Sequence, residues 1–192
     1  MKKKLKDIAD VTIGQSFRSR LERDDNPNIA VVQMKDLTAE NIIDPTSLIQ
    51  VNVKKLNDRQ LVKKDDIVFR ARGQVNTAAH INQEIGQAVI AAPLLRIRIL
   101  NEIVLSEYLV WWINQPKSQA YMSSYAKGTA QRMISKPVIE ELCVEVPSLE
   151  KQKQIIELAT LAHEEQKLLC ELADKRTKYM EGILMQVASE SQ

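Results

Sequence analysis

Residues 128–155, GTAQRMISKPVIEELCVEVPSLEKQKQI, contain the predicted boundary between a globular domain and a long helix. A polar loop that contains glycine leads into a short apolar run at 142–146, which predicts a β-strand. Pro147 ends that strand, and Ser148 can cap a following helix with Glu150 in its first turn. No proline occurs from 149 to 187, so the sequence predicts a globular front domain followed by one long helix. This order favours binding and assembly over catalysis.

The front part predicts an α+β domain. Apolar or alternating runs at 29–34, 49–53, 66–72, 88–91 and 95–99 indicate strands. One helix is expected at about 107–114, with Ser106 as its cap, and a turn-rich piece from Pro116 to Tyr125. Strands with a helix on one side, without regular βαβ alternation, are typical of the α+β class.

This order of elements resembles the specificity (S) subunits of type I restriction-modification enzymes. The stretch at 147–155 reads Pro-x-Leu-Glu-x-Gln-x-x-Ile, and segments 4–14, 32–37 and 64–73 resemble further motifs of that family, in the family's order. There are two departures. Asp65 stands where the family usually has glycine before Asp-Ile, and the usual subunit carries two recognition domains and two helices where this chain has one of each.

The resemblance implies a division of labour along the chain. Residues 1–147 would form a target-recognition domain that reads half of a bipartite double-stranded DNA sequence. Residues 148–192 would form the long helix for dimerisation and for docking of modification subunits. The chain itself would be no enzyme: S-adenosylmethionine would bind to the methyltransferase (modification) subunits and ATP to the restriction subunit.

Composition agrees with a cytoplasmic protein that meets phosphates. The 192 residues contain no apolar run of about 18, so no membrane span is expected, and the two cysteines predict neither a disulfide framework nor a metal site. Of 27 Lys/Arg and 25 Asp/Glu, six and eight lie in 148–192, which leaves 21 basic and 17 acidic residues in 1–147. The front domain is therefore modestly basic.

The C-terminal helix carries an apolar seam at spacings of three, four and seven, as expected for burial against one partner helix. Its members are Ile155, Leu158, Ala162, Leu169, Leu172, Tyr179 and Ile183. Glu165 and Arg176 occupy seam positions where apolar residues are expected. A rod of some 40 residues is about 60 Å long, and the chain contains no second helix of that length. We therefore expect a homodimer.

The candidate DNA-binding residues fall in three polar segments. Arg and Gln/Asn are the side chains that pair bidentately with guanine and adenine, and cations near small residues suit phosphates. The candidates are Arg70, Arg72, Gln74 and Asn76 around Gly73; Lys127, Thr129, Gln131 and Arg132 around Gly128; and Gln33 with Lys35. The alternative for the first segment is an exposed strand end with solvated arginines.

Two other functions are open at this point. A stand-alone metal nuclease would use Asp65 and Asp66 with nearby lysines and His80, although adjacent carboxylates on a strand point to opposite faces. A coiled-coil adaptor without any nucleic-acid role would leave the arginines of the polar segments dispensable. Trp111 and Trp112 are expected to pack in the core rather than stack on bases, and Cys143 to pack as a small core residue.

Overall fold

The computed structural model describes residues 1–38, 41–53, 58–73, 76–125 and 133–189. Residues Met1–Gln152 and Lys153–Gln192 form two separate compact units. The strands are β1 Lys2–Lys4, β2 Ala9–Ile13, β3 Ile29–Val32, β4 Ile49–Val51, β5 Leu61–Val62, β6 Ile67–Arg70, β7 Ala78–His80, β8 Ala88–Ile90, β9 Leu94–Ile99 and β10 Cys143–Glu145. The helices are α1 Ser106–Asn114, α2 Pro116–Tyr125, α3 Lys136–Glu140 and α4 Leu149–Ser189.

One four-stranded sheet is antiparallel throughout, in the order β2-β9-β6-β7. Its central strand β9 alternates: Leu95 and Ile97 are buried apolar side chains, while Arg96 and Arg98 lie on the other face. Those two arginines are not solvated. Arg96 is 3% exposed and donates to Asp10 at 2.7 Å, and Arg98 binds Asp66 with two hydrogen bonds of 2.7 Å.

The second four-stranded sheet has the order β4-β3-β8-β5, and its central strands β3 and β8 are parallel. Every residue of β3 and β8 is buried, which explains their uninterrupted apolar sequences, since both faces of these strands are covered. The apolar side chains of this sheet form two core clusters, one of which also receives Val68, Ala79 and Leu94 from the first sheet. The two sheets therefore share a core.

A two-stranded ribbon joins the first strand of the chain to β10, with Lys3 opposite Val144. Val144 is fully buried, whereas its neighbour Cys143 is exposed. The prediction that Cys143 packs in the core was wrong, because successive residues of a strand point to opposite faces and Val144 takes the inner one.

Helix α1 packs on β7 and on the start of α2. Ser106 does not cap it as predicted: its hydroxyl donates instead to the carbonyl oxygen of Asp65 at 2.7 Å. Trp111 and Trp112 are half-buried beside Tyr108, and the Trp112 indole donates to the carbonyl oxygen of Cys143 at 3.1 Å. The expected turn-rich piece at 116–125 is a regular helix, α2.

Helix α4 runs without interruption from Leu149 to Ser189, as predicted, and the Ser148 hydroxyl accepts a hydrogen bond from the backbone N–H of Lys151 at 3.4 Å. Its side chains beyond Gln152 are almost all exposed. The predicted α+β class and the predicted long helix are both confirmed. In the part of the chain that the structure describes, no helix is long and apolar enough to cross a membrane.

Candidate nucleic-acid interface

Four segments that are distant in sequence lie together at one edge of the first unit, and we call them the loop edge. They are the turn Met34–Asp36, residues 70–73 at the end of β6, the turn 92–93, and residues 133–136. Arg70 connects the first two, because its Nη2 donates to the carbonyl oxygens of Met34 at 2.7 Å and Leu37 at 2.8 Å. The guanidinium group therefore fixes the turn after β3 against the end of β6.

A backbone bridge connects the end of β6 to the segment that follows residues 127–132. Arg72 pairs with Met133 in antiparallel fashion, and the N–H of Ile134 donates to the carbonyl oxygen of Ala71 at 2.8 Å. The predicted loop at 127–132 therefore leads directly into the loop edge.

The turn Ala92–Pro93, whose peptide bond is cis, lies between two surface grooves of the loop edge. One groove is lined by Arg72, Met133 and Lys136, and the other by Gln33. Gly14 holds this turn in place at close range: a Cβ atom on Gly14 would lie 2.7 Å from the Ile90 carbonyl oxygen. That approach requires glycine.

The DNA-binding candidates predicted from the sequence differ in how exposed their side chains are in the structure. Arg72 and Lys35 are exposed at the loop edge, and Gln33 is half-buried in the second groove. Asn76 is only 7% exposed and donates to the carbonyl oxygen of Arg70 at 3.0 Å, so Arg70 and Asn76 shape the edge from within. Gln74, Lys127, Gly128, Thr129, Gln131 and Arg132 lie outside the described residues.

Sequence reasoning missed a cation at this edge. Arg18 and Arg20 are both exposed on the connection between β2 and β3, and Arg20 lines the same groove as Gln33. The signal was present in the sequence as two arginines around Ser19, in a stretch without a strand or helix pattern. It went unnoticed because nothing in the sequence places that stretch beside Gln33.

Residues 1–160 match the family model described as the type I restriction modification DNA specificity domain. The chain belongs to this family. Its fold is similar to that of a chain in a solved type I restriction-modification system, studied for complex assembly and conformational transition, with a TM-score of 0.65 at 14% identity over 88% of this chain.

Two crystal structures of single subunits have the same fold. They are the HsdS subunit from Thermoanaerobacter tengcongensis, with a TM-score of 0.59, 17% identity and 87% of this chain covered, and the type I restriction-modification S subunit from M. genitalium, with 0.54, 14% and 90%. The chain spans only 39%, 37% and 41% of the lengths of these three chains.

The specificity domain keeps the turn in which Asp65 replaces the family's usual glycine. Asp65 has a φ of 69°, in the left-handed region that favours glycine. Its backbone N–H donates to the Ile81 carbonyl oxygen at 2.8 Å, and its own carbonyl oxygen accepts from Ser106. Aspartate is among the few residues that tolerate this conformation, so the turn survives the replacement.

The specificity domain offers little to a nuclease at Asp65 and Asp66. Asp66 is 1% exposed, and its two carboxylate oxygens accept hydrogen bonds from Arg98 and from the backbone N–H of Lys63. Among the described residues, no group of three or more His, Cys, Asp or Glu is placed to hold a metal ion. The position of Asp66 is thus explained by its bond to Arg98.

Internal ion pairs remove several charges from the surface of the domain. The hydrogen bonds that Arg98 donates to the Asp66 carboxylate raise the pKa of Arg98, although burial opposes this. Burial alone would raise the pKa of Asp10, but hydrogen bonds from Thr12 and Arg96 outweigh it and lower that pKa. Among the described residues, the exposed cations of the loop edge are Arg20, Lys35 and Arg72.

Proposed function

We propose that this chain is a DNA sequence-specificity subunit of a type I restriction-modification system, and that its loop edge reads one half of a bipartite double-stranded target. It performs no catalysis itself. It positions a methyltransferase (modification) subunit and a restriction subunit, which carry S-adenosylmethionine and ATP respectively.

The observation that carries this proposal is the convergence of the polar segments. Gln33 and Lys35, Arg72, and the residue that follows the 127–132 loop are far apart in sequence and lie at one edge. Packing of the core does not require exposed cations there. Arginine pairs bidentately with the O6 and N7 atoms of guanine in the major groove, and glutamine pairs with adenine.

Different cations of the loop edge would serve different purposes. Arg72, at the end of a strand and beside a groove, is the candidate for reading a base. Arg20 and Lys35 are exposed on connections and are candidates for phosphate contacts, which fix register without reading sequence.

The second unit supplies the assembly surface in this proposal. The seam residues of α4 remain without a covering helix in the chain itself: Leu158, Leu169, Leu172 and Tyr179 are 54–69% exposed. A second copy of the chain covers the seam, and the modification subunits dock on the resulting helix pair. The chain thus acts as a homodimer.

Reconstitution with a modification subunit tests the proposal. The wild-type complex is expected to methylate adenine at one sequence motif in a random DNA library. In Arg72→Ala, preference at one base position should relax by about 1–3 kcal/mol. In Lys35→Ala, binding should weaken on all sequences alike, with the salt slope reduced by about 0.9 for each lost phosphate contact.

Lys63→Ala is the matched control, because this exposed lysine precedes β6 at the end opposite to the loop edge. It removes the same charge and should leave the methylated motif unchanged. Methylation without any sequence preference, in a complex that forms and is active, would contradict the proposal.

A further inference from the structure

Two opposite charges, Glu165 and Arg176, lie within the apolar face of α4. The four helix neighbours at three and four residues from Glu165 are Leu161, Ala162, Leu168 and Leu169. Those of Arg176 are Leu172, Ala173, Tyr179 and Met180. Each charge is therefore surrounded by apolar side chains, and neither forms an ion pair with any described residue.

Any helix that covers this face removes both charges from water. An uncompensated buried charge is strongly destabilising, so the covering helix must present an opposite charge at each of the two positions. A second copy of α4 carries one acid and one base with the same separation along the seam.

We propose that two copies of α4 pair antiparallel in the register that places Glu165 of each copy against Arg176 of the other. The two-fold axis then crosses the helix between Cys170 and Glu171, midway between the two charges. This inference rests on the dimer of the proposed function, whose antiparallel direction the family resemblance implies, and adds its register and the residues that select it.

The uncharged seam positions from Leu158 to Ile183 fit the same register without further adjustment, whereas Ile155 faces Gln186 at the outer end of the pairing. At equal distances from the axis, Leu169 faces Leu172 of the second copy, the small Ala162 faces the large Tyr179, and Leu158 faces Ile183. Large side chains opposite small ones fill the space between two helices evenly. The charges and the volumes thus select the same pairing independently.

The other simple arrangements fail on the charges. A parallel pair in register would place Glu165 against Glu165 and Arg176 against Arg176, where like charges repel. An antiparallel pair shifted by one heptad would face each charge with a leucine or an isoleucine and leave it unpaired. Only the proposed register among these pairs both charges.

Charge exchange in the full chain tests the register. Glu165→Arg and Arg176→Glu each create two like-charge contacts in the proposed dimer, and each should raise its dissociation constant by about a hundredfold. The double variant restores two opposite-charge pairs and should dimerise nearly as well as the wild type. Analytical ultracentrifugation over a concentration series measures all four proteins.

Asp174→Arg is the matched control, since this exposed residue lies on the face of α4 opposite to the seam, undergoes the same charge change and should leave dimerisation unaffected. Single variants that dimerise like the wild type, a double variant that is not rescued, or a monomeric wild type would each overturn the register.

A distance measurement tests the direction without disturbing the seam. A spin label is attached to Glu157→Cys in a chain with Cys143→Ser and Cys170→Ser. The antiparallel register predicts a label separation of at least about 40 Å, from the rise of 1.5 Å per residue. A separation below about 20 Å would indicate parallel helices, which lie 8–10 Å apart, and would overturn the proposal. Sequence-selective methylation by the same protein would then still support the proposed function.

Discussion

At the scale of single residues, backbone geometry explains the residue types at two positions, Gly14 and Asp65. Gly14 follows β2 and lets the chain approach the backbone after β8 at a distance that excludes a Cβ atom. Asp65 precedes β6 in a left-handed conformation that the family usually assigns to glycine. Both residues lie in turns next to strands of the first unit, Gly14 beside the loop edge and Asp65 at the opposite end of β6.

Substitution at Asp65 should depend on backbone conformation rather than on charge. Asp65→Val places a β-branched residue in the left-handed region and should lower the free energy of unfolding by about 1–2 kcal/mol, whereas Asp65→Gly should not lower it by more than about 0.5 kcal/mol. Urea denaturation measures both. Lys64→Val, at the adjacent exposed position with an ordinary φ, is the control and should have little effect; equal losses in all three variants would contradict this reading.

At the scale of secondary-structure elements, the first turn of α4, which belongs to the first unit, is held in place by one buried side chain. Gln152 is fully buried: its Oε1 accepts from the N–H of Leu105 at 2.9 Å, and its Nε2 donates to the carbonyl oxygens of Ile103 at 2.8 Å and Pro147 at 3.0 Å. Gln152 thereby satisfies the N–H of Leu105, the residue that precedes α1, and ties the start of α1 to the start of α4. This explains the glutamine of the Pro-x-Leu-Glu-x-Gln motif physically.

Removal of the Gln152 amide should destabilise the first unit. Gln152→Ala leaves three backbone groups without their partner, and the free energy of unfolding should fall by about 3 kcal/mol. Gln154→Ala, at an exposed position two residues later, is the matched control. It should change the free energy of unfolding by less than about 0.5 kcal/mol. Thermal and urea unfolding of both variants, followed by tryptophan fluorescence, measure these changes. Equal changes in the two variants would contradict a structural role of the Gln152 amide.

Two ion pairs to Glu141 stabilise the N-terminal ribbon. Hydrogen bonds from Lys4, at 2.7 Å, and from Lys6 lower the pKa of Glu141 to about 2, from an ordinary value of 4.5. A carboxylate with a lowered pKa in the folded state stabilises the fold above its unfolded pKa, and this contribution is lost as the proton binds on the way down to the folded pKa.

Stability should accordingly decline between about pH 4.5 and pH 2 in part through Glu141. Glu141→Gln should be less stable than the wild type at neutral pH, and the difference should vanish near pH 2. Urea unfolding at a series of pH values measures this difference in stability. The control is Glu102→Gln, at an exposed position in the turn before α1. A difference that is constant with pH would show that the hydrogen-bond geometry and not the charge is responsible.

At the scale of the whole molecule, the two-fold symmetry of the proposed homodimer would set the form of the DNA target. Two identical chains related by a two-fold axis carry identical loop edges, so each must read the same half-site in opposite orientation. We predict an interrupted palindrome as the methylated sequence. With a rod of about 60 Å and a DNA helical turn of about 34 Å, the half-sites should lie no more than roughly two turns apart.

Sequencing of methylated adenines after reconstitution gives the answer. Changes in the rod should alter the tolerated spacer and leave half-site identity intact, while Arg72→Ala should affect the same base position in both halves. A single asymmetric motif, methylated by a protein proven to be a homodimer, would contradict the two-fold arrangement.

The sequence by itself determined what depends on local periodicity. Alternating and continuous apolar runs located β3, β4, β6, β8, β9 and β10, and the long stretch without proline located α4. The sequence alone likewise predicts the seam of α4 and its two charged positions, because a helix repeats its faces at fixed intervals. The candidate segments at 33–35 and 70–72 were found from their residue types alone.

Only the tertiary structure decided which of those residues are available and which lie together. Arg70 and Asn76 look like Arg72 in the sequence, yet carbonyl groups from distant elements and from the strand end itself bind them, and Arg72 alone stays exposed. Cys143 faces outward because β10 pairs with the first residues of the chain, and Ser106 does not cap α1 because its hydroxyl donates to the carbonyl oxygen of Asp65, 41 positions earlier. Hydrogen-bond partners of this kind are set by long-range packing, which no local pattern contains.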